Sequence, residues 1–469
     1  MGRKSVTFTN VDTAWLHMEH PTNLMMVSGV VQLARPASFD RLKETIERGL
    51  LRFDRFKQRV ADSRLPLRNP LWEFDPHFSL ENHVHRIALP SPGDQATLLE
   101  LASDLMSTPL DFSRPLWQFH LVENVGEGCA VICRLHHCIA DGVALVGVML
   151  SMMDLEENPS PKPAANDDHP KGEEGWHPYK EWIEPAVHTL EAGAKVATTL
   201  VHESMETLVN PERARNLVHK ASQGASALSK LLLLPPDPKT PFKGKLGVRK
   251  RAAISEPIPL AEVKKIGKAM GAKVNDVLLG AMTGSLRRYL INRGWLVDGL
   301  EFHAAVPVNL RPPEKALELG NNFGLVLLPL PVGVADPVER LFELKSRMDE
   351  IKDTPEAVVA LGLLNVIGLS PGQLVNFIMT FFGTKATAVM TNVPGPPFTL
   401  YLAGSAIKDV MFWVPQSGRL GLGVSILSYD GRVTLGVATD AGLIPDPEVI
   451  VQGFHEEFAA LRELIMSGD

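Results

Sequence analysis

The chain has 469 residues, 45% of them apolar and 22% charged, with a net charge of −7. That length suffices for two or three domains of about 100–200 residues each, and the balance of apolar to charged residues excludes a disordered chain. The acidic net charge and the lack of any long Lys/Arg run exclude a general nucleic-acid-binding role. The three cysteines, Cys129, Cys133 and Cys138, fall in one short segment. They make no disulfide framework, and reduced thiols in a cytoplasmic protein are expected.

Met1 to Val6 carries charge but leads into Thr7-Phe8-Thr9-Asn10, with no apolar stretch for a signal peptide. Val6 stands where a myristoylation pattern requires Ser or Thr. Leu42 to Val60 has helical spacing in Leu42, Ile46, Leu50, Leu51 and Phe53, with basic residues on the opposite face. Ala96 to Met106 is a second short helix. Trp117 to Val125 and Cys129 to Leu135 read as strands joined through Gly126-Glu127-Gly128. Gly142 to Met153, apolar nearly all round, reads as a buried helix.

Composition changes after Leu155. Glu156 to Glu174 is rich in Pro, Asp, Glu and Lys, as an exposed linker is. Residues 178–234 are amphipathic and helical, and Pro235-Pro236-Asp237-Pro238 stops them. A second α/β block opens near Lys245, with a helix over Val274 to Ile291 and a strand over Phe302 to Val308. Ala357 to Thr384 has no charge, but Asn365, Ser370-Pro371-Gly372-Gln373 and Asn376 interrupt it. A spanning helix needs about 20 uninterrupted apolar residues. Two shorter helices meeting at Pro371 are expected instead, packed on the core or lying on a bilayer or lipid droplet. Leu422, Val424 and Ile426 alternate with small residues, and Asp430-Gly431 then turns the chain into Val433, Leu435 and Val437. Asp-Gly between alternating runs predicts a hairpin. An amphipathic helix over 447–466 closes the chain. The blocks are 1–155, a linker over 156–244, and 245–469, in an α/β fold.

The sharpest local feature is His136-His137-Cys138-Ile139-Ala140-Asp141-Gly142, where an apolar strand gives way to a turn and a helix. Strand alternation puts His137 on the face of Val131, Cys133 and Leu135, and His136 on that of Arg134. Adjacent strand histidines diverge and no zinc spacing accompanies them, so no metal is expected. A neutral imidazole, with an ordinary pKa of about 6.5, suits proton abstraction from a hydroxyl. Asp141 is placed to fix that ring or to stabilise the turn, and Gly142 leaves room beside it. Cys138 offers a rival as a nucleophile paired with His137. As a strand neighbour it points away, and a buried, inert thiol is the expectation.

The segment resembles the signature of the CoA-dependent acyltransferase superfamily, which includes chloramphenicol acetyltransferase and peptide-synthetase condensation domains. Further motifs narrow the resemblance to the bacterial wax ester synthase/acyl-CoA:diacylglycerol acyltransferase family. These are Asp12-Thr13-Ala14-Trp15-Leu16, Pro115-Leu116-Trp117, Asn275-Asp276-Val277, Val308-Asn309-Leu310-Arg311, Asn392-Val393-Pro394-Gly395-Pro396 and Ser428-Tyr429-Asp430-Gly431. They follow the family's order over nearly the whole chain.

That resemblance implies two chloramphenicol-acetyltransferase-like domains, each a mixed sheet flanked by helices, with a tunnel at their interface and the histidine midway. It makes His137 the general base and gives His136 a shaping role. It turns Asp141 away from the substrate onto an arginine, for which Arg311 is the candidate, because an unpaired buried carboxylate is very costly. Arg311 and Asp276 are expected to support the site. Asn275 is either an oxyanion donor or the N-cap of its helix. Lys243, Lys245 and Arg249, in a cluster with Lys250 and Arg251, are either ligands of the CoA phosphates or a solvated loop. The implied reaction moves a fatty acyl group from acyl-CoA to a long-chain alcohol, giving a wax ester, or to diacylglycerol, giving triacylglycerol. It needs neither a covalent intermediate nor a permanently bound cofactor. Acylation of another alcohol such as a polyketide, or a non-catalytic lipid-droplet-binding role, are the alternatives. A monomer or homodimer at the periphery of the inner membrane or lipid inclusions is expected. The family often has Pro-Met-His-Val-Gly after its first tryptophan. Here the chain reads Leu24-Met25-Met26-Val27-Ser28-Gly29, which implies an unusual substrate preference if that stretch lines the tunnel.

Overall fold

A computed structural model describes residues 5–63, 68–159, 233–311, 319–352, 360–362, 364–365, 381, 383–416 and 420–466. The first half supplies β1 (Val6–Thr7), α1 (Asn10–His17), β2 (Met26–Leu33), α2 (Phe39–Gly49), β3 (Gln58–Ala61), β4 (Leu71–Phe74), β5 (Val84–Ala88), α3 (Gln95–Met106), β6 (Trp117–Val125), β7 (Gly128–His136) and α4 (Gly142–Ser151). The second supplies β8 (Lys250–Ile254), β9 (Ile258–Pro259), α5 (Leu260–Ala269), α6 (Val274–Asn292), β10 (Phe302–Asn309), β11 (Phe323–Leu330), α7 (Pro337–Lys352), β12 (Ala388–Pro394), β13 (Tyr401–Leu402), β14 (Ser405–Trp413), β15 (Leu422–Tyr429), β16 (Arg432–Asp440) and α8 (Pro447–Met466).

Two mixed sheets dominate. One runs β13-β14-β2-β7-β6-β5, antiparallel except where β5 joins β6. The other runs β11-β10-β12-β15-β16-β8, with β9 also on β16 and parallel pairing of β12 with β10 and with β15. β1, β4 and β3 form a small third sheet. Alternating apolar residues explain the second core: Val424, Ile426, Leu435 and Val437 point to one face, and Val277, Met282 and Phe454 of the covering helices meet them there.

The seam between the halves is apolar and crossed by the backbone. β14, which lies inside 245–469, pairs antiparallel with β2, from Trp413 opposite Ser28 to Asp409 opposite Gln32. Val30, Val122 and Ile132 of the first half share one cluster with Ala252, Met411, Trp413 and Leu427 of the second. The halves are therefore not separable bodies, and the end of β7 sits where they meet.

The expected helix over Leu42 to Val60 stops at Gly49. Phe53 instead leads into a 3-10 turn, Asp54–Lys57, and β3 then pairs with β4. Strand pairing with residues 71–74 overrides the helical spacing of Leu50, Leu51 and Phe53. Gly49 also lets α2 approach the end of α4, because a Cβ there would lie 2.7 Å from Met152 Cγ. The Asp430-Gly431 turn has φ of 48° and 73°, the two positive values a type I′ turn requires. The 160–232 part of the expected linker and helical region, and most of 357–384, lie outside the described residues.

Candidate active site

β7 is paired on both sides, with Met26 of β2 opposite His136 and Trp117 of β6 opposite Leu135. The backbone stays gripped past the strand end. His136 N–H donates to the Leu116 carbonyl at 3.0 Å, and His137 N–H to the Met25 carbonyl at 2.7 Å. Pro115-Leu116-Trp117 and Leu24-Met25-Met26 thus flank the two histidines. Trp117 is itself pinned by its indole N–H donating to the Phe56 carbonyl at 2.8 Å. The stretch that departs from the family pattern is the strand next to the candidate base.

His137 is 7% exposed. Its ring stacks on Trp15 at a centroid distance of 4.0 Å, with Phe323 tilted against it at 5.7 Å. Nδ1 lies 3.0 Å from Asn321 Oδ1. Burial lowers the imidazole pKa to about 4, with the charge of Asp141 acting in the opposite sense. The ring is therefore neutral at pH 7.

Asp141 caps α4, its Oδ1 accepting the Ala144 N–H at 3.0 Å. Its Oδ2 accepts from Arg311 Nη2 at 2.7 Å and from the Asn322 N–H at 2.9 Å. Arg311 Nη2 also donates to the Gly320 carbonyl at 2.7 Å. The carboxylate thus faces the second half and reaches His137 through its charge. Gly142 opens α4 beside it, and a Cβ there would meet nothing within 4 Å.

His136 is fully buried on the other face. Its Nδ1 accepts the Cys138 N–H at 3.1 Å, its Nε2 lies 3.4 Å from Glu19, and Phe112 meets it edge-on. It shapes the wall behind the strand end. Burial pushes the Cys133 thiol up to about 12 and the Cys138 thiol well above its ordinary range, so neither is poised as a nucleophile.

Asn275 is the second residue of α6 and not its N-cap. Lys273 holds the cap position, and Asp276 Oδ2 accepts its N–H at 2.8 Å. Asn275 Oδ1 accepts from Asn392 Nδ2 at 3.0 Å, which leaves the amide nitrogen of Asn275 as its donor end. The basic cluster is dispersed. Lys243 donates to the Thr384 carbonyl, Lys250 sits in a buried pair 2.8 Å from Asp440, and Arg251 reaches Glu448 at 3.1 Å. Lys245 and Arg249 are exposed. Among the described residues no group of three or more His, Cys, Asp or Glu is arranged to hold a metal, and no described helix is long and apolar enough to cross a membrane.

Three residues around His137 carry no signal of their own in the sequence reading: Asn321, Phe323 and, as a ring partner, Trp15. Asn321 Nδ2 donates to Asp12 Oδ1 at 2.8 Å and to the His137 carbonyl at 2.9 Å. Asn321 lies 184 residues from His137 along the chain, a separation at which no spacing rule operates.

The buried imidazoles have a thermodynamic consequence. His137 and His120 are both lowered to about 4, and His83 is lowered too, each chiefly by burial. Below pH 6.5 the unfolded chain binds protons at these sites that the folded chain refuses. Stability present at pH 7 is therefore lost as pH falls from 6.5 toward 4, by up to roughly 3 kcal/mol for each residue lowered to about 4. Urea unfolding at pH 7 and pH 5 measures this, and equal midpoints would contradict the burial of these rings.

The family model for the wax ester synthase/diacylglycerol acyltransferase catalytic domain matches residues 8–278, and the model for the WS/DGAT C-terminal domain matches residues 319–462. A Mycobacterium tuberculosis CDC 1551 relative with a provisional diacylglycerol O-acyltransferase name is 26% identical over 478 aligned positions, 98% of this chain and 90% of its own. The M. tuberculosis H37Rv protein named probable diacylglycerol O-acyltransferase is 29% identical over 412 positions, 87% of this chain and 84% of its own. The solved wax ester synthase/diacylglycerol acyltransferase of Marinobacter aquaeolei VT8 superposes with a TM-score of 0.69 at 22% identity, covering 98% of this chain and 100% of that one. The first condensation domain of the calcium-dependent antibiotic synthetase shares the same two-domain α/β fold, with a TM-score of 0.60 at 12% identity, covering 99% of this chain and 97% of that one. The chain is an O-acyltransferase that belongs to the wax ester synthase/diacylglycerol acyltransferase family.

Proposed function

We propose that this enzyme moves a fatty acyl group from acyl-CoA to the hydroxyl of a long-chain alcohol or of diacylglycerol, with His137 as general base. The observation that carries it is a neutral, buried imidazole at the seam between the two halves, walled by Trp15 and Phe323. His137 takes the hydroxyl proton as the oxygen attacks the thioester carbonyl. The tetrahedral oxyanion then collapses, the C–S bond breaks, and the imidazolium returns the proton to the departing CoA thiolate. Every step uses groups of the chain and its two substrates, and no acyl-enzyme forms. The Asn275 amide is the candidate oxyanion donor, a role worth ~2.7–4 kcal/mol where such donors have been removed.

Acyl-CoA and the lipid acceptor reach His137 along the seam from opposite sides, and Met25, whose carbonyl holds the His137 N–H, influences which chains fit. Arg311 and Asp276 support the site, the first by pairing Asp141 and the second by capping α6 next to Asn275. Exposed Lys245 and Arg249 are what remains of the cluster for CoA phosphates. Both halves belong to one chain, so a monomer completes the site. A lipid acceptor places the enzyme at the cytoplasmic periphery of a membrane or lipid inclusion. The test is purified enzyme with labelled acyl-CoA and a panel of hexadecanol, dioleoylglycerol and short polar alcohols, reading labelled ester and released thiol. Ester on the long-chain acceptors is the expected result. Turnover confined to short polar acceptors would overturn the proposal.

A further inference from the structure

We infer that Asn321 is a positioning residue, which fixes the imidazole nitrogen of His137 that carries the proton, and that α1 holds it in place. The inference rests on His137 being the base. An amide oxygen only accepts hydrogen bonds and an amide nitrogen only donates. Asn321 Nδ2 has two acceptors, Asp12 Oδ1 at 2.8 Å and the His137 carbonyl at 2.9 Å. Flipping the amide would set its oxygen against both and lose two hydrogen bonds in a buried place. The orientation is thereby determined by the network. Asn321 Oδ1 then faces His137 Nδ1 at 3.0 Å and must accept a hydrogen bond from its N–H. Nδ1 is the protonated nitrogen, and Nε2 keeps the lone pair that a hydroxyl can use.

Asp12 is anchored in turn. It is buried in the first turn of α1, its own N–H donates to Thr9 Oγ1 at 3.1 Å, and Arg55 stands 3.9 Å from its Oδ2. Trp15 follows it on the same helix at i+3, the spacing that shares a face, and stacks on the ring at 4.0 Å. One helix therefore sets the plane of the imidazole through Trp15 and its rotation through Asp12 and Asn321. This gives Asp12-Thr13-Ala14-Trp15-Leu16, a motif with no role in the chemistry above, a physical task. Asn321 lies just before β11 in the second half, whereas Asp12 and His137 belong to the first. The protonated nitrogen of the base is thus set by a contact between the two halves.

The experiment reads the tautomer directly. Protein labelled with ¹⁵N-histidine gives long-range ¹H–¹⁵N patterns that separate the two tautomers, and the His137→Gln variant identifies the His137 signals by their loss. The wild type is expected in the Nδ1–H form, a measurement that needs no Asn321 variant to fold. Asn321→Ala leaves the ring the hydrogen bond to its own backbone, and is expected to weaken that preference and to lower kcat at least about 10-fold with the KM for acyl-CoA unchanged. Asp12→Asn keeps an acceptor for Asn321 and should stay within about 3-fold of wild type, whereas Asp12→Leu should behave like Asn321→Ala. An Nε2–H wild type, or an Asn321→Ala enzyme with wild-type kcat and an unchanged tautomer, overturns the inference. Full turnover by His137→Gln would instead sink the general-base proposal, leaving the tautomer result to stand or fall by itself.

Discussion

His137→Gln should lower kcat by about 10²–10⁴-fold while the protein stays folded and still binds acyl-CoA. Glutamine fills much of the imidazole's volume beside Trp15 and can still donate toward Asn321, but it has no nitrogen able to take a proton near neutral pH. The loss should appear in turnover and not in the KM for acyl-CoA, because the ring acts on the hydroxyl and the leaving thiolate. A pH profile of the wild type adds a second check. With the pKa lowered to about 4 by burial, kcat/KM should stay level from pH 7.5 to about pH 5 and fall only below that, as the imidazole gains its proton. An unperturbed histidine would already be half-protonated at about 6.5. So low a pKa also makes the resting ring a poor base, and the geometry answers this. Asp141 lies close enough for its charge to favour the imidazolium, so proton transfer becomes easier as negative charge develops on the substrate. Wild-type turnover by the glutamine variant would remove the mechanism.

How much of this was legible in the sequence depends on the range of the interaction. β6, β7, α4, the Asp430-Gly431 hairpin and α8 follow from periodicity and turn chemistry, which act over a few residues, and the structure places them within two residues of expectation. Arg311 could be named because the family resemblance turns Asp141 onto an arginine, a buried carboxylate needs such a cation, and Val308-Asn309-Leu310-Arg311 offers one. Asn321 could not, since an amide satisfies no such compulsion and its contact with His137 exists only after the halves dock. The same blindness produced the basic cluster. Lys250 and Lys243 lie near Lys245 and Arg249 in sequence, but Asp440, in the neighbouring strand, and the Thr384 carbonyl draw the first two inward. The β14 crossover onto β2 was equally out of reach, because an apolar strand reads alike in either sheet.

Arg311→Met should cost about 3–5 kcal/mol of stability, as removal of one partner of a buried ion pair does. Asp141 Oδ2 would keep only the Asn322 N–H, and its charge would stand in an apolar seam without a counterion. Asp141→Asn should destabilise less than Asp141→Ala, because asparagine retains an N-cap acceptor for Ala144, an interaction worth about 1 kcal/mol. The informative protein is the double variant Asp141→Asn, Arg311→Met. With both charges gone, no ion is stranded, and its stability should exceed the sum of the single effects by roughly 1–3 kcal/mol in a urea double-mutant cycle. Strict additivity would contradict the pairing. Activity should not recover with stability. The double variant lacks the carboxylate charge that favours protonated His137, so its kcat should stay at least about 10-fold below wild type. Recovery of both together would mean that Asp141 only holds the seam shut. Recovery of stability alone would mean that the charge that docks the halves also assists the base. Both members of the ion pair hydrogen-bond to residues that flank Asn321, Arg311 to the Gly320 carbonyl and Asp141 to the Asn322 N–H, so the contact that closes the seam and the contact that sets the tautomer of His137 meet in one short run, Gly320-Asn321-Asn322.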